Sequence, residues 1–132
     1  MQLPAVRFRV DFGRDRAVGP GKVALLEHIG TGGSLSQAAR ELGMSYRRAW
    51  QLLESLNSSF REPAVLTAKG GRGGGGARLT PFGRLLIRVY REFDAEIQKR
   101  AARSFRPVTG LARQPETRAA PVVRLKDRPK KG

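Results

Sequence analysis

Residues 31–83 read TGGSLSQAARELGMSYRRAWQLLESLNSSFREPAVLTAKGGRGGGGARLTPFG, and the fold turns on how this stretch divides. Leu35, Ala38, Ala39 and Leu42 fall at i, i+3, i+4 and i+7, the period of one helical face, so a short helix is expected to stop at Gly43. Ser34 or Ser36 can cap it, and Gln37 stands at capping-box spacing from Ser34. Gly43 and Met44 then leave only a tight turn before Ser45, which can cap the next helix. That helix carries Ala49, Leu52, Leu53, Leu56 and Phe60 on one side and Arg47, Gln51, Glu54 and Ser58 on the other, with Arg48 and Ser55 beside them. Pro63 ends it, and residues 64–67 and 77–79 read as two short strands joined through the glycine run 70–76.

Working toward the N-terminus, a helix is expected after Pro20 and Gly21, with Val23, Leu26 and Ile29 inward and the glycines at 30–33 ending it. Before it, Val6, Phe8, Val10 and Phe12 alternate with Arg7, Arg9 and Asp11, the pattern of a half-buried strand. Toward the C-terminus, Thr80 and Pro81 supply a cap and a first-turn proline for a last helix. Its apolar stripe of Phe82, Leu86, Val89, Tyr90, Phe93 and Ile97 lasts about six turns if the helix reaches Arg103. A three-helix body cannot cover so long a stripe, so pairing with a second copy is expected. From residue 104 the composition shifts to eight basic residues, two acids and four prolines without apolar periodicity. Such a segment buries too little to offset its ordering entropy and reads as a disordered basic tail. The organisation expected is a domain over 1–103, with a dimerisation helix near 80–103, and a tail over 104–132.

The chain has 132 residues, 26 Lys and Arg against 11 Asp and Glu, and a formal net charge of +15. The length suits one domain. No cysteine is present and His28 is the only histidine, so disulfides, thiolate metal sites, thiol nucleophiles and His-built centres are not expected. With no carboxylate pair or nucleophile-and-base set, an enzyme is the least favoured class, and no cofactor is expected. His28 reads as a packing or surface residue. No apolar run approaches the roughly 20 residues of a membrane span, and the N-terminus lacks a secretory pattern, so a cytoplasmic, membrane-free protein is expected. The charge points to nucleic acid: residues 1–103 hold 18 basic and 9 acidic side chains, and the tail adds the rest.

Two helices joined by a glycine turn occur in many helical hairpins. Followed at once by a hairpin bearing Lys69, Arg72 and Arg78 among glycines, they describe a winged helix-turn-helix: mainly α, with a small β-hairpin and a long last helix. The glycine run lacks the Lys-Ser/Thr and following helix of a phosphate-binding P-loop, whereas a hairpin tip that orders only on DNA stays open. The MSYRRAW segment at 44–50, the GGRGGGGARLTPFG segment at 70–83 and their separation resemble the N-terminal DNA-binding domain of ModE-type molybdate-responsive transcription regulators, relatives of the LysR-type winged helix. The resemblance covers roughly residues 5–103. It implies a homodimer held by the N-terminal region and the last helix, reading a pseudo-palindromic operator. By position it implies that Ser45, Tyr46, Arg47 and Arg48 open the recognition helix and that residues 70–78 form the wing. Full-length members bind molybdate in a separate C-terminal domain of small β-barrels. Residues 104–132 show no strand pattern, so molybdate binding is not expected of this chain.

Within that frame Arg47 and Gln51 share the outward face one turn apart, and both can contact a base edge in bidentate fashion, Arg on guanine and Gln on adenine. Arg48, nearer the edge, suits a phosphate, and Ser45 can cap the helix and touch phosphate at once. Tyr46 and Trp50 border the apolar side, with Trp50 favoured as core. Ser36 and Gln37 at the preceding helix N-terminus are phosphate anchors, although an ordinary cap is the simpler role for Ser36. Lys69, Arg72 and Arg78 carry the wing's charge. The function expected is sequence-specific reading of duplex DNA by a homodimer, the third helix in the major groove and the wing on the backbone or minor groove. The alternative is a nonspecific, nucleoid-like nucleic-acid protein using the same charge without base preference.

Overall fold

The computed structural model describes residues 3–68 and 76–127. A two-residue antiparallel ladder, β1 (Val10–Asp11) with β2 (Ala17–Val18), leads into α1 (Pro20–Gly32), α2 (Leu35–Glu41) and α3 (Tyr46–Ser58). A second antiparallel pair follows, β3 (Val65–Thr67) with β4 (Ala77–Leu79), in the register Val65↔Leu79, Leu66↔Arg78, Thr67↔Ala77. The chain then runs through α4 (Pro81–Ser104) and a helical turn, α5 (Arg106–Thr109). This is a winged helix-turn-helix, mainly α with a small hairpin.

Local chemistry sets the helix ends. α1 stops where Gly33 adopts φ 72°, and its amide donates to the Ile29 carbonyl at 2.9 Å. Ser34 caps α2, its Oγ accepting from the Gln37 amide at 3.0 Å, which settles the choice between Ser34 and Ser36. The turn to α3 rests on Gly43 at φ 67°, a conformation an L side chain resists. Ser45 caps α3 by accepting from the Arg48 amide at 3.0 Å, and Thr80 caps α4 by accepting from the Gly83 amide at 3.0 Å. These caps lock three helix starts at the positions expected from sequence.

One core joins the elements: Val23, Leu25, Leu26 and Ile29 of α1, Leu35, Ala38 and Ala39 of α2, Ala49, Leu53 and Leu56 of α3, Val65 and Ala77 of the hairpin, and Leu86 and Tyr90 of α4. α1 lies at its centre, in contact with α2, α3, α4 and β4. Its buried side chains therefore surround the helix rather than form a stripe, and Leu25 escaped the periodicity for that reason. The glycines at 30 and 32 lie inside α1, which ends later than expected.

Two expectations change. The alternation from Val6 to Phe12 holds as a burial pattern up to Val10, but only Val10 and Asp11 pair with another strand, and Phe12 is exposed. Upstream, the segment docks on side chains of α4. The Gln98 amide accepts from the Val6 N–H at 2.9 Å and donates to the Val6 carbonyl at 2.8 Å, while the Tyr90 hydroxyl donates to the Phe8 carbonyl at 3.1 Å. Phe8 stacks on Tyr90 with ring centroids 4.8 Å apart and meets the edge of Phe93 at 5.1 Å. Beyond residue 104 the chain still forms α5 and a 3-10 turn at Leu125–Asp127, and its described side chains are nearly all exposed. No helix among the described residues is long and apolar enough to cross a membrane.

Candidate nucleic-acid interface

α3 projects its first turns away from the core. Tyr46, Arg47, Arg48 and Gln51 are all exposed, whereas Ala49 among them and Leu53 just beyond are buried. The amphipathic spacing causes this, since the residues that face α1 and α2 are the small and branched apolar ones. Among the described residues no carboxylate lies within ion-pair distance of Arg47, Arg48 or Arg78. Those guanidiniums keep their donors for a ligand. Trp50 is half-buried and packs against the core, as expected.

The wing base is tied to the helix-turn-helix. The Ala77 amide donates to the Gly33 carbonyl at 3.0 Å, and Ser34 bridges Gly76. The hairpin thus leaves the body beside the N-terminus of α2, with Arg78 exposed opposite Leu66. Lys69 and Arg72 lie outside the described residues.

Residues 21–84 match the bacterial regulatory helix-turn-helix proteins of the LysR family. The chain is 46% identical over 82 residues to the molybdenum-pterin-binding protein MopB of Rhodobacter capsulatus, a match over 62% of this chain and 30% of that protein. It is 43% identical over 82 residues to the DNA-binding transcriptional dual regulator ModE of Escherichia coli (strain K12), over 62% of this chain and 31% of that protein. With the molybdenum transport protein ModE of Azotobacter vinelandii it shares 35% identity over 115 residues, 82% of this chain and 43% of the relative. Residues 21–84 carry a LysR-type helix-turn-helix domain, similar in sequence to part of these ModE and Mop proteins. The chain spans less than half the length of these relatives.

At the start of α2, Gln37 has internal duties. Gln37 gives its backbone amide to Ser34 and its side-chain amide to Glu41 Oε1 at 2.9 Å, and both Ser36 and Gln37 are half-buried. Glu41 also pairs with His28 Nδ1 at 2.6 Å, so the histidine fastens α1 to α2. The hydrogen bond from His28, then that from Gln37, holds the Glu41 carboxyl below its ordinary range.

Lys22 escaped the sequence reading. From the first turn of α1 its ammonium donates to the Ala17 carbonyl at 2.6 Å and to Ser55 Oγ on α3 at 2.9 Å. Burial, and then the charge of Arg48, lowers its pKa from 10.5. It braces α3 against β2. Nothing in the local sequence distinguishes it from a surface lysine.

The expected dimerisation residues divide between two environments. Leu86 and Tyr90 are buried within the chain's own core, and Phe82 packs on Phe60 with centroids 5.0 Å apart. Val89 and Phe93 are exposed, at 52% and 44%, and Ile97 is half-buried. Leu85, exposed at 41%, extends the same outward stripe and was not foreseen. Beside it lies an apolar groove of about 300 Å³, lined by Val10, Phe12, Val18, Leu86, Val89, Tyr90 and Phe93.

Proposed function

We propose that this chain is the DNA-binding part of a transcription regulator that reads duplex DNA as a homodimer, with α3 in the major groove and the hairpin on the adjacent backbone or minor groove. The observation that carries this reading is the leading end of α3. Behind a glycine turn and a serine cap it holds Arg47, Arg48 and Gln51 exposed and, among the described residues, unengaged by carboxylates, and the hairpin adds exposed Arg78. Arg47 and Gln51 are assigned to base edges, Arg48 and the Ser45 hydroxyl to phosphates, and Arg78 with Lys69 and Arg72 to the wing contact. Ser36 and Gln37, half-buried at the start of α2, are assigned to phosphate contacts, with the Gln37 side chain positioned by Glu41.

Homodimerisation rests on Leu85, Val89 and Phe93, spaced four residues apart on a helix that outruns its own body, and on the groove beside them. An exposed apolar stripe of this continuity is the feature expected of a partner face. The basic segment from residue 104, proposed as a tail outside the domain of 1–103, adds phosphate affinity without base preference. No molybdate site is assigned to these residues.

Selection from a random duplex library with the purified chain tests the whole reading. An enriched inverted repeat with half-sites about one helical turn apart is the expected product. Enrichment of no sequence, with strong binding to all, would instead favour the nonspecific alternative. Sedimentation giving a monomer at tens of micromolar would remove the dimer.

A further inference from the structure

Most exposed large apolar side chains lie on α4 or in the terminal segments. Tyr46 does not. It opens α3, exposed at 49%, amid Ser45, Arg47, Arg48 and Gln51. Its helical position turns it toward the apolar side of α3, as the sequence spacing requires, yet the core ends a turn later, at Ala49 and Trp50. The ring meets Trp50 edge-on, with centroids 6.3 Å apart and planes at 85°. Trp50 in turn packs against the core, so the tyrosine is held on a supported platform and is not a freely turning surface side chain. Among the described residues the Tyr46 hydroxyl has no hydrogen-bond partner, which leaves the ring as the group the fold has positioned.

An apolar surface at the entering end of a recognition helix has one apolar counterpart in the major groove. Only thymine presents a methyl group there, at C5, while the other base edges offer donors and acceptors. Arg47 and Gln51 answer those polar edges and Tyr46 cannot. We infer that the Tyr46 ring reads a thymine C5-methyl group in each half-site, next to the base pairs contacted by Arg47 and Gln51. This rests on the proposed placement of α3 in the major groove and adds to it a base identity.

Deoxyuridine tests the contact, because it removes the methyl and keeps every hydrogen-bonding edge of thymine. With the duplex recovered by selection, each thymine is replaced singly and the affinity of the full chain measured by fluorescence anisotropy. Loss of one buried methyl is expected to weaken wild-type binding about fourfold at one thymine per half-site and to leave the others unchanged. Tyr46→Ala is expected to bind the thymine and uracil duplexes equally, and Tyr46→Phe to keep the wild-type discrimination. Indifference of the wild type to every replacement overturns the inference while the DNA-reading function stands. Loss of discrimination in Tyr46→Phe also overturns it, since the hydroxyl would then be the contact. Failure to enrich any duplex removes the underlying function and the methyl contact with it. Should Tyr46→Ala unfold, the wild-type scan and Tyr46→Phe still decide.

Discussion

Gly83→Ala tests how the wing is seated. Gly83 is the third residue of α4, and a Cβ built there lies 3.1 Å from the Ala64 carbonyl carbon, closer still to its oxygen, and 3.4 Å from Leu79 Cδ2. Ala64 is fully buried, and its carbonyl accepts from the Thr80 amide at 3.0 Å, so it cannot swing aside without giving up that bond. Overpacking against backbone costs roughly 1–3 kcal/mol, and weakening the Thr80 bond adds about 1 kcal/mol. Replacing glycine by alanine in a helix returns about 1 kcal/mol. The net expectation is a destabilisation of about 2 kcal/mol, a fall in melting temperature of about 10 °C for a domain of this size. Urea unfolding followed by circular dichroism measures it directly. Gly21→Ala is the control: the same substitution near the start of α1, with nothing within 4 Å of the new methyl, is expected to be neutral or slightly stabilising. A Gly83→Ala midpoint equal to that of wild type would refute the close seating of α4 on Ala64, just before β3.

Other expectations follow from the same geometry. Because hydrogen bonds lower the Glu41 pKa on folding, its contribution is complete above the ordinary 4.5 and is lost as pH falls through the lowered folded value. Glu41→Gln is therefore expected to differ most from wild type near neutral pH and to converge with it as the pH falls below the ordinary carboxylate range, as read by urea midpoints across acid pH. Arg47→Ala is expected to relax base preference at one position by about 1–3 kcal/mol, whereas Arg78→Ala weakens all duplexes alike and flattens the salt dependence by about one unit. Equal losses on every sequence for both variants would sink direct readout. Val89→Asp places a carboxylate on the exposed α4 stripe and is expected to give a folded monomer in sedimentation; an unchanged oligomeric state would move the interface elsewhere.

Legibility in the sequence tracked the range of the interactions. α2 and α3 were read correctly because each turns one face to a single core, so Leu35, Ala38, Ala39, Ala49, Leu53 and Leu56 repeat at helical spacing. The serine caps were legible too, acting over three residues. α1 was read only in part, since a helix packed on several sides has no single period, and Leu25 falls off the stripe. On α4 two apolar faces lie next to each other, one toward the body through Leu86 and Tyr90 and one outward through Leu85, Val89 and Phe93. Spacing merges them, and only packing separates them. For the candidate interface, the exposed face of α3 was readable, while the engagement of Gln37 by Glu41 and the brace from Lys22 to Ser55 were not.

The sequence by itself determined that α1 to α4 become helices, where α2, α3 and α4 are capped, and that a basic face on α3 is followed by a glycine-rich hairpin, because those features depend on neighbours within about four residues. Only the tertiary structure decided that the extended residues before β1 lie on α4 through Gln98 and Tyr90, and that Gly83 admits no side chain beside Ala64. The same holds for Tyr46, left uncovered at the tip of α3. Each of those outcomes requires segments tens of residues apart to meet, and residue spacing carries no record of such meetings.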